Sequence, residues 1–159
     1  MDPITSLPAA DVRTLFAEDA VYSTEDPVIG ERVQEMQRNG FPIESIEGLD
    51  FCEQNVLDDR RVRHVLEALF PRSGLGIYEV YRTEPNHLYA FMTGLNPELK
   101  GVAVGLCSPD LHMVLKAGSN LLPVGGWWAS NGLLEMPHGI LNNCKPIDVV
   151  LEKGGLYDH

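Results

Sequence analysis

Asp110-Leu-His112 places a carboxylate and an imidazole two residues apart. On a strand, positions i and i+2 share a face, so Asp110 and His112 could work as an oriented acid/base pair or ligate a metal. Lys116 shares that face if the strand is regular. The plainer alternative is a turn aspartate after Pro109 followed by a rim histidine that begins a strand. Gly125-Gly-Trp-Trp128 is the most unusual local feature. Adjacent tryptophans beside a flexible glycine pair suit a lid or wall over an apolar ligand, or a loop pinned by one buried ring. Tyr78 and Tyr81 are the remaining candidates for lining a pocket, with core packing as the alternative.

Other titratable residues fall in less informative places. Glu84-Pro-Asn-His87 reads as a turn whose histidine could supply a ligand at a barrel mouth. His64 lies off the apolar stripe of its helix and reads as a surface residue, and His138 follows Pro137 in a loop. His159 is terminal and is expected to be mobile. Cys52, Cys107 and Cys144 are three in number and widely spaced, which suits free thiols in a reducing compartment. Cys107 belongs to an apolar run and reads as core. Glycine-rich phosphate loops, Gly-x-Ser-x-Gly elbows, His-Glu-x-x-His helices and Cys-x-x-Cys pairs do not occur.

Charge narrows the partners. The 159 residues carry 23 acidic against 12 basic side chains, a net charge of −11. That disfavours nucleic acid and anionic membranes, both of which need clustered lysine and arginine. The cluster Arg60, Arg61 and Arg63 is flanked by Asp58, Asp59 and Glu67, as on a solvated helix face. The opening Met1-Asp-Pro-Ile-Thr-Ser has no signal-peptide character, and no apolar run approaches the ~18 residues that cross a bilayer. A cytoplasmic protein is expected.

The elements that must position these residues fall into two halves of one domain, 1–159. Residues 1–72 read as mostly helical. One helix follows Pro8 with Val12, Leu15 and Phe16 inward. A second runs from about Gly30 to Arg38 and stops at Asn39-Gly40. A third spans about Asp58 to Phe70, with Val62, Val65, Leu66, Leu69 and Phe70 as its stripe and Pro71 as its end. The segment from Phe41 to Leu49 reads as extended or irregular. Residues 73–159 read as β-rich, with short strands at Ile77–Tyr81, Leu88–Met92, Val102–Cys107, His112–Lys116, Gly132–Met136 and Ile147–Leu151. Turn chemistry separates them at 83–86, 94–97 and 108–110. The fold class expected is a β-rich α+β domain: a small jelly roll or barrel, double-stranded β-helix-like, with N-terminal helices.

Three pieces occur in order: Lys116-Ala-Gly-Ser-Asn120, Ala129-Ser-Asn-Gly-Leu-Leu-Glu-Met-Pro137 and Val150-Leu-Glu-Lys-Gly-Gly-Leu156. Together they resemble the second half of phytanoyl-CoA-dioxygenase-like proteins of the fungal type, over about residues 99–157. The resemblance implies a jelly roll that holds iron(II) and 2-oxoglutarate on a His-x-Asp pair plus a distal histidine, and oxidises small molecules, often in natural-product pathways. The chain departs from that pattern at the decisive places. No His-x-Asp occurs, and Asn120 stands where the family's Gly-Ser-His turn has histidine.

The expectation is therefore a small-molecule pocket protein of a biosynthetic kind, shortened from that oxygenase family and without its iron motif. It would act on an apolar molecule by metal-free acid/base chemistry, as an isomerase, cyclase or lyase. Asp110 and His112 would be the catalytic pair, and Trp127, Trp128, Tyr78, Tyr81 and Lys116 would contact the substrate. No cofactor is expected, with iron and 2-oxoglutarate as the alternative. A different class of reading is a non-catalytic ligand- or protein-binding module in which the tryptophans join two copies as a homodimer.

Overall fold

The computed structural model describes residues 2–18, 21–81, 87–90, 101–119, 122, 125–130 and 132–159. The elements in order are α1 (Ala9–Glu18), β1 (Tyr22–Glu25), α2 (Pro27–Arg38), α3 (Ile46–Cys52), α4 (Arg60–Leu69), β2 (Tyr89–Ala90), β3 (Val104–Cys107), β4 (Leu111–Ala117), β5 (Trp127–Trp128), β6 (Leu134–Glu135), β7 (Lys145–Leu151) and β8 (Gly155–Asp158). Single-turn 3-10 segments at Ile4–Ser6 and His138–Leu141 and a π-helical turn at Glu53–Leu57 complete them.

The starts of α2, α3 and α4 each follow from a side chain that supplies the missing acceptor for the first backbone N–H groups. Asp26 accepts from the amides of Val28 and Ile29, with Pro27 preset for the first turn of α2. Ser45 accepts from Gly48 at α3, and Asp59 accepts from Arg61 and Val62 at α4. Arg61 then ties two of these caps together: its guanidinium lies 2.9 Å from Asp26 and 2.5 Å from Asp59. Arg13 on α1 reaches the open C-terminal end of α4, donating to the Ala68 carbonyl at 2.9 Å. His64 reaches the Leu7 carbonyl at 2.9 Å and is half-buried, so it pins the N-terminal turn where a surface position was expected.

The strands form three antiparallel sheets in the orders β1-β8-β3, β2-β6-β5 and β4-β7. The first is a middle layer. Leu156 of β8 packs with Ile29, Val33 and Val62 of α2 and α4, while Tyr157 on its other face packs with Cys107, Val149 and Leu151 towards β4 and β7. Alternation along one strand thus joins the helical layer to the β4-β7 ribbon. A third cluster, Ile4, Val12, Phe16, Val65 and Ala68, holds α1 to α4.

β3 and β4 run as one strand folded at 108–110, and β7 and β8 as another folded at 152–154. Their pairing keeps a single register across both bends: Val104 faces Asp158, Cys107 faces Gly155, Leu111 faces Leu151 and Ala117 faces Lys145. The bends are tight. Asp110 takes φ 64°, and Gly154 at φ 78° lies where a Cβ would meet the Cys107 carbonyl at 2.6 Å.

The architecture is mixed α+β, as the composition of the two halves implied. The closed small barrel is not formed among the described residues, because β4 and β7 pair only with each other and β2, β5 and β6 are two residues long. Helices cover the face of the central sheet that a second sheet would cover in a barrel. The strand expected at Ile77–Tyr81 is not formed either. Its burial alternates, but no described strand lies beside it, and Gly74 and Gly76 precede it in an exposed stretch. The expected strand at Leu88–Met92 is described only to Ala90, and the turns at 83–86 and 94–97 and Asn120 lie outside the described residues. α3 occupies part of the segment expected to be irregular, and β1 and β8 are strands where none was expected. His159, expected to be mobile, exchanges backbone hydrogen bonds of 2.7 and 2.9 Å with Ala103. No helix among the described residues is long and apolar enough to cross a membrane.

Candidate functional site

Asp110 and His112 do not form a pair with each other. Asp110 is an exposed turn residue, and the His112 imidazole instead meets Asp148 on β7, with Nε2 3.2 Å from Oδ1. The parity argument for β4 holds, since its register with β7 is unbroken from Leu111 to Ala117, and His112, Val114 and Lys116 share a face. That face points away from the Cys107–Val149–Leu151 core and is open to solvent, with His112 and Asp148 side chains 65% and 67% exposed. An ion pair so placed is weak and screened.

The tyrosines are separated from that face. Tyr78 donates its hydroxyl to the Gly48 carbonyl of α3 at 3.1 Å and serves to dock the 74–81 segment, and Tyr81 is exposed. Burial raises both phenols above their ordinary value. Trp127 and Trp128 lie on β5, in the sheet with β2 and β6. The structure therefore does not bring the expected residues into one pocket. Two open depressions, of about 470 and 490 Å³, are lined by Phe41–Ser45 and by Gln34, Gln37 and Arg38, and by none of the expected residues.

What the structure does assemble is a different carboxylate–imidazole pair, on the β2-β6-β5 sheet. Register sets Tyr89 of β2, Glu135 of β6 and Trp127 of β5 in one row across the three strands. Glu135 is the centre of that row. One carboxylate oxygen lies 2.8 Å from His87 Nδ1, and the other accepts the Trp127 indole N–H at 3.1 Å. The His87 ring stacks on Tyr89, two residues on, at 5.8 Å between centroids and 7° between planes. Glu135 is 24% exposed and His87 45%, so this pair is better shielded than His112 and Asp148.

Local sequence explains why β5 can lie so close to β6. A Cβ at Gly126 would stand 2.4 Å from the Glu135 carbonyl, so only glycine lets the strand approach and present Trp127 to Glu135. Gly132, at φ 79°, turns the chain back from β5 into β6, and Ala129 N–H closes the turn on the Leu133 carbonyl at 2.8 Å. Trp128 points to the opposite face and is 72% exposed.

Sequence reasoning placed His87 in a turn and left Glu135 unremarked. Its available signal was the alternation Leu134-Glu135-Met136, which sets one acidic residue on the face opposite two buried apolar ones.

No trio of histidine, cysteine, aspartate or glutamate side chains converges to hold a metal ion among the described residues. The iron set implied by the oxygenase resemblance does not fit the residues present, since the chain has no His-x-Asp sequence. All three cysteines are free and buried, and burial pushes the Cys107 thiol up to about 12, which suits a core residue rather than a nucleophile. No family model, curated protein or solved structure matches the chain.

Proposed function

We propose that this protein binds a small, largely apolar molecule of the natural-product kind and moves a proton on it without a metal, as an isomerase or cyclase does. The observation that supports this reading is the Glu135–His87 contact of 2.8 Å, flanked by Tyr89 and Trp127. Glu135 holds Nδ1 of the imidazole, so Nε2 is the nitrogen that exchanges a proton with a ligand. The step is a proton shift: Nε2 takes a proton from an acidified C–H, the electron pair moves through the adjacent double bond, and the same proton returns at the far carbon. The ligand is isomerised, nothing is oxidised, and the histidine is restored. Trp127 and Tyr89 supply the apolar walls. This assigns the acid/base role expected of His112 and Asp110 to a better shielded pair.

The fold we propose behind it is a shortened jelly roll. Its support is the β3-β4/β7-β8 ribbon, whose two strands bend together at one place, 108–110 opposite 152–154, without losing register. Residues 101–119 and 132–157 of this ribbon and its neighbours fall within the stretch that resembles the oxygenase family.

The test is conversion of a β,γ-unsaturated cyclic ketone to its conjugated isomer, followed by ultraviolet absorbance. The expected result is turnover that falls at least a hundredfold in His87→Ala and survives in the Asp110→Ala/His112→Ala double variant. Full turnover in His87→Ala, with loss in the double variant, would return the role to Asp110 and His112. A second reading, a module that binds a protein or another copy of the chain, is favoured by the exposure of Trp128.

A further inference from the structure

We propose that the buried Asp158 carboxyl is a proton-operated latch between the helical layer and the middle sheet. Protonated, it lets α2 and α4 close on β8. Ionised, it favours an opened form in which water reaches the layer boundary while the β4-β7 ribbon stays paired. Three observations carry it. First, Asp158 sits where a charge has no outlet. It is fully buried, and neither carboxylate oxygen has a hydrogen-bond partner among the described residues. Tyr22 and Val104 stand directly across from it on β1 and β3. Leu156, two residues before it on the same face, packs on Ile29 and Val33 of α2 and on Val62 of α4. An ionised carboxylate held there without a partner is costly to bury.

Second, the groups around it leave that charge uncompensated. α4 presents Asp59 and Arg61. Burial raises the Asp158 carboxyl to about 7; Asp59 adds to the rise and Arg61 opposes it. Arg61 is already engaged, pairing with Asp59 and, at 2.9 Å, with Asp26 at the start of α2. β1 presents Tyr22, whose hydroxyl donates to Asp2. β3 presents the apolar Val104. An ionised Asp158 would therefore add a further carboxylate to a guanidinium that two others already hold. Third, alternation along β8 limits what must give way. Asp158 and Leu156 face the helices, whereas Tyr157 faces the Cys107–Val149–Leu151 core under the ribbon. Lifting α2 and α4 from the sheet hydrates Asp158 and leaves that core intact. Domains open in such units at a lower free energy than global unfolding.

The test is hydrogen exchange of the natural protein at about pH 6 and about pH 8, followed amide by amide by NMR in low concentrations of urea. Rates are corrected for the intrinsic pH dependence of exchange. A carboxyl at about 7 in the closed form and about 3.9 in the open one makes opening about tenfold more favourable at the higher pH. The amides of α2 and α4 are expected to lose about tenfold in protection between the two pH values. They are also expected to exchange faster than the slowest amides of β4 and β7, and with a weaker dependence on urea. Asp158→Asn is expected to abolish the pH dependence. Asp158→Val, which leaves no polar group to satisfy, serves the same purpose where asparagine prevents folding. Helices and ribbon that exchange at one common rate with one urea dependence would overturn the latch, because Asp158 would then act only on the whole fold. Helix protection that is equal at both pH values would overturn it, as would a tenfold change that persists in the Asp158 variants.

Discussion

Replacing Asp158 by asparagine should change how stability depends on pH. Asp158 is fully buried on β8, the middle strand of its sheet, directly between Tyr22 and Val104. It shares the Leu156 face, which packs on α2 and α4, and neither carboxylate oxygen has a hydrogen-bond partner among the described residues. Burial pushes its carboxyl from 3.8 up to about 7; Asp59 adds to the rise and Arg61 opposes it. The folded state therefore keeps a proton that the unfolded chain releases above about pH 4. A group that binds its proton more tightly when folded stabilises the fold at low pH, and that stability is lost as pH rises towards its folded value. The difference is roughly three pH units, at about 1.36 kcal/mol each, or about 4 kcal/mol. That is a large share of the 5–15 kcal/mol typical of a domain. Asparagine has the same shape and does not titrate. Urea unfolding at about pH 4 and about pH 8 reads the effect as the change in free energy of the variant relative to the natural protein. The difference should move in favour of Asp158→Asn by about 4 kcal/mol from the lower to the higher pH. A shift under about 1 kcal/mol, or one in the other direction, would refute the reasoning.

Other perturbations follow from particular contacts. Arg61→Ala removes the link between the Asp26 and Asp59 caps, whose side chains are only 23% and 14% exposed, and should cost about 2–4 kcal/mol in urea unfolding, with Arg61→Lys recovering part of it. Gly126→Ala drives a Cβ against the Glu135 carbonyl and should displace β5, seen as a changed Trp127 emission and a loss of about 1–3 kcal/mol. By contrast His112→Ala should change stability by no more than about 0.5 kcal/mol, because its partner Asp148 is exposed. An unfolding midpoint lowered by several degrees would show that the ribbon's outer face is covered.

The helical half was legible because its signals are local. The Asp59 cap, the Val62–Val65–Leu66–Leu69 stripe and the Pro71 stop all sit within one segment, and α4 forms there. α3 was hidden because Ser45 caps a helix with few buried residues, Gly48 and Cys52 among them, leaving no apolar stripe to read. β1 and β8 were hidden for another reason. Tyr22-Ser-Thr-Glu25 is only four residues long with one large apolar side chain, and becomes a strand by pairing with residues 155–158, more than a hundred positions away. The candidate site fails to show for the same cause: His87, Glu135 and Trp127 meet only through the register of three two-residue strands. Asp110 and His112 were conspicuous because they are neighbours in sequence, yet the bend at Asp110 leaves His112 to pair across the ribbon with Asp148.

The most direct measurement is the pair of indole N–H signals in a proton–nitrogen correlation spectrum. The two tryptophans give one signal each. Glu135→Gln should move the Trp127 signal strongly, because its N–H donates to Glu135, and leave that of Trp128 in place. A Trp127 signal indifferent to Glu135→Gln would contradict the site on which the proposed chemistry rests.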